Sequence, residues 1–271
     1  MDGTNKKNPT FSLRKKVLKR VLLGMVAVIL VLAGMVAVIA GKNVKAMNHC
    51  VDAAMTELRS HYTVTPVDPG EYDGLTLYGL MKFNVEQYEI EGIGNLSVMR
   101  VNMGLMQMST FVITPRDRNL PLLSTDYMYI LANRTAYMEF YDVVAQKDDA
   151  YTALLEELTA AIGGYQHLEN AQTTPAWYTP LTTVTAYKNG GMDEDPMLEQ
   201  MLVDCLKIYL ENGRELPALT EEERAEKLRI TTDYTNGLIE KGGISTDVFK
   251  SALGADTTRD FFDRVFFGTA G

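Results

Sequence analysis

The run Val21–Ala40, VLLGMVAVILVLAGMVAVIA, places twenty consecutive uncharged residues near the start of the chain. As a helix rising about 1.5 Å per residue it reaches about 30 Å, the thickness of a bilayer's hydrocarbon core. A buried helix of a soluble protein carries an apolar stripe and a polar face, whereas this run is apolar all round and follows a basic cluster. It reads as a transmembrane helix over residues 21–41, between a basic arm (1–20) and a domain (42–271). A cleavable signal peptide has a shorter apolar region and a small-x-small site. Here the run continues into Gly41-Lys42 and a polar helical stretch, so it reads as a signal anchor, with cleavage after Ala40 the lesser alternative. Cys50 is not a lipoprotein acceptor, because Met47-Asn48-His49 before it are not small and it lies well past the apolar run.

The flanking charges set the orientation. Residues 1–20 hold Lys6, Lys7, Arg14, Lys15, Lys16, Lys19 and Arg20 against Asp2 alone, a sum of +6, while only Lys42 and Lys45 follow the span closely. The positive-inside rule then predicts a single-pass protein of the cell membrane with its N-terminus in the cytoplasm and residues 42–271 outside. The chain's formal charge is −9, so the part after residue 20 carries −15. A surface that acidic repels phosphate backbones and excludes nucleic acid as a partner of the domain. Ala33, Ala37 and Gly41 recur every four residues, a small-residue row that allows a homodimer through the span, although Ala- and Gly-rich segments produce such rows by chance.

The domain begins with helical spacing over 43–61, where Val44, Met47, Val51, Ala54, Met55 and Leu58 recur at three and four and stop before Pro66 and Pro69. Three segments rich in Val, Ile, Tyr, Phe and Thr follow, Leu75–Ile90, Asn95–Thr114 and Asp126–Val144, separated by Gly92-Ile93-Gly94 and by Pro115-Arg116-Asp117-Arg118-Asn119. Such short connections predict an antiparallel meander. Helical patterns return at Tyr151–Ile162, Pro196–Asn212, Glu221–Lys241, Thr246–Leu253 and Thr257–Phe267. The expected class is α+β, one antiparallel sheet sandwiched between helices (α/β/α). Cys50 and Cys205 would lie in an oxidising space, where one disulfide and two buried free thiols are equally compatible with the sequence.

Most common chemistries have no motif here. His49, His61 and His167 are scattered, with no partner at metal-ligand spacing, so no metal site is expected. Gly-x-Ser-x-Gly, HExxH and a phosphate-binding loop are absent, and Gly92-x-Gly94 lacks the third glycine of a dinucleotide fingerprint. Asp193-Glu194-Asp195 lacks the further ligands of a calcium loop and reads as an acidic turn before a helix. The exception is Asp126, an acid inside Leu120-Pro121-Leu122-Leu123-Ser124-Thr125-Asp126-Tyr127-Met128-Tyr129-Ile130. A carboxyl among apolar and aromatic neighbours has a raised pKa and can donate a proton, whereas an Asp capping the turn before a strand does neither.

The run Phe111-Val112-Ile113-Thr114-Pro115, a short loop, the Leu120–Asp126 strand and, one strand later, Tyr141-Asp142-Val143-Val144 resemble the ferredoxin-dependent bilin reductases and the related red chlorophyll catabolite reductases. Phe249-Lys250-Ser251-Ala252-Leu253-Gly254 and Asp260-Phe261-Phe262-Asp263-Arg264-Val265-Phe266-Phe267 are similar to the closing helices of that family, so the likeness spans roughly residues 75–267. It implies an antiparallel sheet between helical layers that holds an open-chain tetrapyrrole without a bound cofactor. It also implies that Asp126 is the central proton-donating aspartate and that Asp126 and Asp142 are ligand-binding candidates. Where biliverdin-reducing members carry a His before the strand-ending Pro, this chain has Ser109-Thr110-Phe111, and the stretch before the last helices reads Glu240-Lys241-Gly242-Gly243-Ile244, without the acid some members place there.

Two functions follow. One is reduction of an open-chain tetrapyrrole with Asp126 as proton donor. The other is a tethered module that binds a tetrapyrrole, another hydrophobic ligand or an envelope partner without catalysis. Ferredoxin is acidic and cytosolic, so a domain of −15 outside the cytoplasm opposes its docking in both charge and place, and the binding module is preferred.

Overall fold

The computed structural model describes residues 9–79 and 81–270; the first eight residues of the basic arm lie outside the described residues. The expected α+β sandwich is present. One helix, α1 (Pro9–His61), runs without a break from the basic arm through the apolar run and into the domain. Its apolar part is long enough to cross a membrane, with a window of mean hydropathy 3.0 that buries nothing against the domain. The helical stretch expected at 43–61 is therefore the last third of the same element. There Met47, Cys50, Val51, Ala54, Met55 and Leu58 face inward and are buried.

The strands are β1 (Val64–Val67), β2 (Thr76–Leu77), β3 (Met81–Ile90), β4 (Gly94–Asn102), β5 (Met106–Pro115), β6 (Leu122–Ile130), β7 (Asn133–Tyr141), β8 (Glu169–Asn170) and β9 (Thr182–Gly190). They form a nine-stranded antiparallel sheet in the order β1-β3-β4-β5-β6-β7-β9-β8, with β2 pairing β3 off that path. The second and third predicted β segments are each a hairpin, folded at Met103–Leu105 and at Leu131–Ala132, and the first folds the short β2 onto the start of β3. β9 stands outside the three segments. At the 92–94 turn, Gly94 has φ +146°, and a Cβ there would lie 2.4 Å from the Thr114 carbonyl oxygen, so only glycine fits. This is the hairpin expected of the Gly-x-Gly pair.

The helices are α2 (Asp149–Gly163), α3 (Asp195–Glu215), α4 (Glu221–Lys241), α5 (Ile244–Leu253) and α6 (Ala255–Phe261), followed by a π-helical turn at Phe262–Phe266. Asp148 caps α2 through the Tyr151 N–H, and Thr220 with Glu223 forms a reciprocal capping box that starts α4. The end of α1, with α2 and α3, packs on one sheet face over Leu96, Phe111, Leu123, Tyr127, Met138 and Phe140. The other face carries Phe83, Met99, Val112, Leu122 and Tyr141, and α4 to α6 cover it with Tyr234, Leu238, Phe249 and Phe261. Strand alternation assigns the two sets: odd residues of β6 go to the first face and even ones to the second.

Two buried amides on the second face explain how the C-terminus docks. Asn95 Nδ2 donates to the Val265 and Phe266 carbonyls, and Gln87 Nε2 donates to Arg264 O, so polar residues on the sheet satisfy the end of the closing helix. Cys50 and Cys205 are both free and buried in the first core.

Candidate functional site

Antiparallel register builds the site row by row. Across β4, β5, β6, β7 and β9 the partners Met99, Thr110, Asp126, Tyr137 and Tyr187 stand side by side. The next row reads Ser97, Val112, Ser124, Glu139 and Thr185. Both rows lie on the face turned toward α4, because Asp126 shares its side of β6 with Leu122 of the second core. Asp126 is thus on the sheet face beneath the helical layer, not at an exposed turn.

Its neighbours are specific. Thr110 Oγ1 donates to Asp126 Oδ1 at 2.5 Å. Burial, partly offset by that hydrogen bond and reinforced by the nearby Glu139 carboxylate, raises the Asp126 pKa to about 6. The side chain nevertheless keeps partial solvent exposure. Desolvation together with partial exposure describes a carboxyl packed on the sheet face beneath the helical layer, with solvent reaching part of the residue.

Aromatic side chains surround this part of the sheet face. Glu139 accepts from Tyr141 Oη at 2.6 Å and from Tyr187 Oη at 2.7 Å. Tyr141 packs on Tyr234 of α4 with ring centroids 5.0 Å apart, and Tyr178 stands at 6.1 Å from Tyr141 and edge-on to Tyr234. Burial pushes the Tyr141, Tyr178, Tyr187 and Tyr234 phenols upward, so all four remain hydroxyl donors at neutral pH. Tyr178 belongs to the segment between β8 and β9. Next to it, Trp177 donates Nε1–H to Gly242 O at 2.7 Å and lies against Gly237 of α4 so closely that a Cβ there would sit 2.3 Å from the indole. The segment carrying Trp177 and Tyr178 is thereby pinned as a strap against α4.

The structure does not bring Asp142 to Asp126. It follows β7 past a register shift at Phe140/Tyr141, and its carboxylate accepts from Tyr151 Oη of α2 at 3.1 Å and pairs with Lys147, on the side of the sheet covered by α2 and α3. Among the acids of the 193–195 turn, Asp195 is the partner of the buried Arg134, with Nε to Oδ1 at 2.5 Å and Nη2 to Oδ2 at 3.1 Å. A cleft of about 590 Å³ opens nearby, lined by Arg134, His167, Glu169, Asn189 and Glu194, and does not include Asp126. Its buried cation is already committed to Asp195 and to the Leu131 and Asn133 carbonyls, so the chemistry points to Asp126 instead. Among the described residues no three His, Cys, Asp or Glu side chains are placed to hold a metal ion.

Thr110, Glu139, Tyr178, Tyr187 and Tyr234 were not singled out as site residues from sequence. Glu139 carried a usable signal, an acid at the inward phase of an alternating strand two residues before Tyr141. The tyrosines carried none, since they come from three separate elements.

No protein-family model and no curated protein matches the chain. Among solved structures, phytochromobilin synthase from tomato in complex with biliverdin superimposes with a TM-score of 0.66, covering 82% of this chain and 83% of that one at 15% identity. The fold is a bilin reductase fold. The bilin reductase resemblance read from the Phe111–Asp126 and C-terminal segments thus holds at the level of architecture. At that identity the likeness speaks for the fold alone.

Proposed function

We propose that this chain is a membrane-anchored module that binds an open-chain tetrapyrrole, or an apolar ligand of similar size, on the sheet face over Asp126. The observation that carries the reading is a desolvated carboxyl, Asp126, on the sheet face among tyrosines from β7, β9, α4 and the segment before β9, in a bilin reductase fold. Flat conjugated rings pack well between a sheet face and aromatic walls. A carboxyl with a raised pKa can, in its two protonation states, donate to lactam oxygens or accept from pyrrole N–H groups. The tomato protein's biliverdin makes that ligand class the first to test. A span at 21–41, an extracytoplasmic domain and a homodimer through Ala33, Ala37 and Gly41 belong to the same proposal.

The second reading, reduction of the tetrapyrrole, draws on the same carboxyl, because a group titrating near neutrality is suited to proton transfer. Against it, Thr110 occupies a neighbouring position and its hydroxyl does not give up a proton at neutral pH. The acidic domain also disfavours an acidic electron donor. The test is to incubate the full chain in detergent with biliverdin, follow the absorption band, and then add a reducing system. A shifted band that persists under reduction supports the module; consumption of the band at a rate above the free pigment supports the reductase; no shift refutes tetrapyrrole binding and the reductase with it.

A further inference from the structure

The most exposed large apolar side chains beyond the apolar run, among the described residues, are Tyr78 at 55% and Leu105 at 54%, with Ile130 at 41% and Leu131 at 40% close behind. All four lie at one end of the sheet. The Leu105 turn joins β4 to β5 and the Leu131 turn joins β6 to β7, and Leu131 N–H donates to Leu105 O at 3.1 Å, tying the two tips together. Tyr78 lies in the turn between β2 and β3, and the pairing of Phe83 with Val101 places that turn beside the Leu105 one. Tyr78 and Leu131 have φ of 52° and 53°, the positive values that glycine or asparagine usually supplies. Turns that expose Tyr and Leu in a left-handed backbone conformation favour neither solubility nor local geometry.

The helix says what these tips face. Asn43, with no measurable exposure, donates Nδ2–H to Leu131 O at 3.0 Å. Asn43 is three residues beyond Ala40, so along a continuous helix the Leu131 tip, with the Leu105 tip bonded to it, lies about 4.5 Å past the end of the apolar run, while the Tyr78 turn stands at the same end of the sheet with its hydroxyl donating to Val248 O of α5. That depth is the headgroup region of a bilayer crossed by the run. Lys42 and Lys45, both exposed, flank it with charges suited to lipid phosphates. Aromatic and aliphatic side chains presented at this level, with lysines beside them, match the chemistry of the membrane interface.

We infer that the Tyr78, Leu105 and Leu131 turns are seated in the interface of the bilayer that α1 crosses, so that the domain stands on the membrane on these tips and does not float above it. The inference rests on the reading of α1 as membrane-spanning. No linker separates the span from Asn43, so the orientation of the sheet follows from the helix.

The experiment uses the full chain in vesicles of phosphatidylcholine and phosphatidylglycerol, with Tyr78→Cys, Leu105→Cys or Leu131→Cys carrying an environment-sensitive fluorophore. Val31→Cys serves as the reference inside the span and Leu228→Cys as the reference on the exposed side of α4. Burial pushes the Cys50 and Cys205 thiols up to about 12, so they do not compete for the label. The expected result is quenching of the three tip labels by shallow lipid-borne nitroxides and loss of quenching by aqueous iodide, against full iodide quenching at residue 228. Tip labels that behave like residue 228 while residue 31 is quenched from the lipid overturn the seating alone. A residue 31 label that is also open to iodide overturns the anchor and the seating with it.

Discussion

The role proposed for Asp126 comes with a cost to the fold. Its pKa moves from the ordinary 3.8 to about 6 because burial disfavours the charged form. The folded state therefore binds more protons than the unfolded state between those values; the carboxyl adds stability below about pH 4 that is lost as pH rises through about 6. Asp126→Asn keeps an acceptor for Thr110 and removes the charge, so it should stabilise the chain at pH 7 by about 1–3 kcal/mol and give no such gain at pH 3.5. Urea unfolding at the two pH values checks this; an equal effect at both would refute the raised pKa. The residue was legible because an acid amid Leu, Tyr and Ile is conspicuous. Asp142 looked equivalent in the linear pattern, but the register shift at the end of β7 carries it to the other side of the sheet.

At the scale of elements, the sheet was readable in kind more than in number. The Leu131-Ala132 turn lacks Gly, Asn or Pro, so two strands merged into one segment. β9, flanked by polar and Pro-containing stretches, fell between the helical patterns. How α4 is held is invisible in sequence. Lys227, at 1% exposure, donates Nζ–H to Leu120 O at 2.7 Å and to Val143 O at 3.0 Å, tying the helix to the segments before β6 and after β7. Burial lowers its pKa to about 7 from 10.5, so the unfolded state binds more protons between those values and stability rises with pH across the window. Lys227→Met should remove a slope of about 1.4 kcal/mol per pH unit between pH 7 and 9, read from urea unfolding across that range. The strap offers a second check. Gly237→Ala places a methyl where the Trp177 indole sits and should cost about 1–3 kcal/mol by overpacking. Trp177 is the chain's one tryptophan, so its emission should shift to the red as the indole is displaced; unchanged emission would contradict the close packing.

For the whole molecule, the apolar run announced a helix long enough to cross a membrane, but its fusion with the first domain helix did not show, because Gly41 and Lys42 look like a boundary and the helix passes through them unbroken. The base asymmetry around the span leads to the prediction that a C-terminal reporter active only in the cytoplasm stays silent, while one active only outside gives signal. The reverse result would place the domain within reach of a cytosolic electron donor and strengthen the reductase reading. The central claim, that Asp126 faces a tetrapyrrole-class ligand, is tested most directly by the absorption spectrum of biliverdin bound to the full chain between pH 5 and 8, in the wild type and in Asp126→Asn. A bound band is expected in both, with a transition near pH 6 in the wild type that the variant lacks. Identical pH profiles for the two bound forms, or no bound band at all, would contradict the claim.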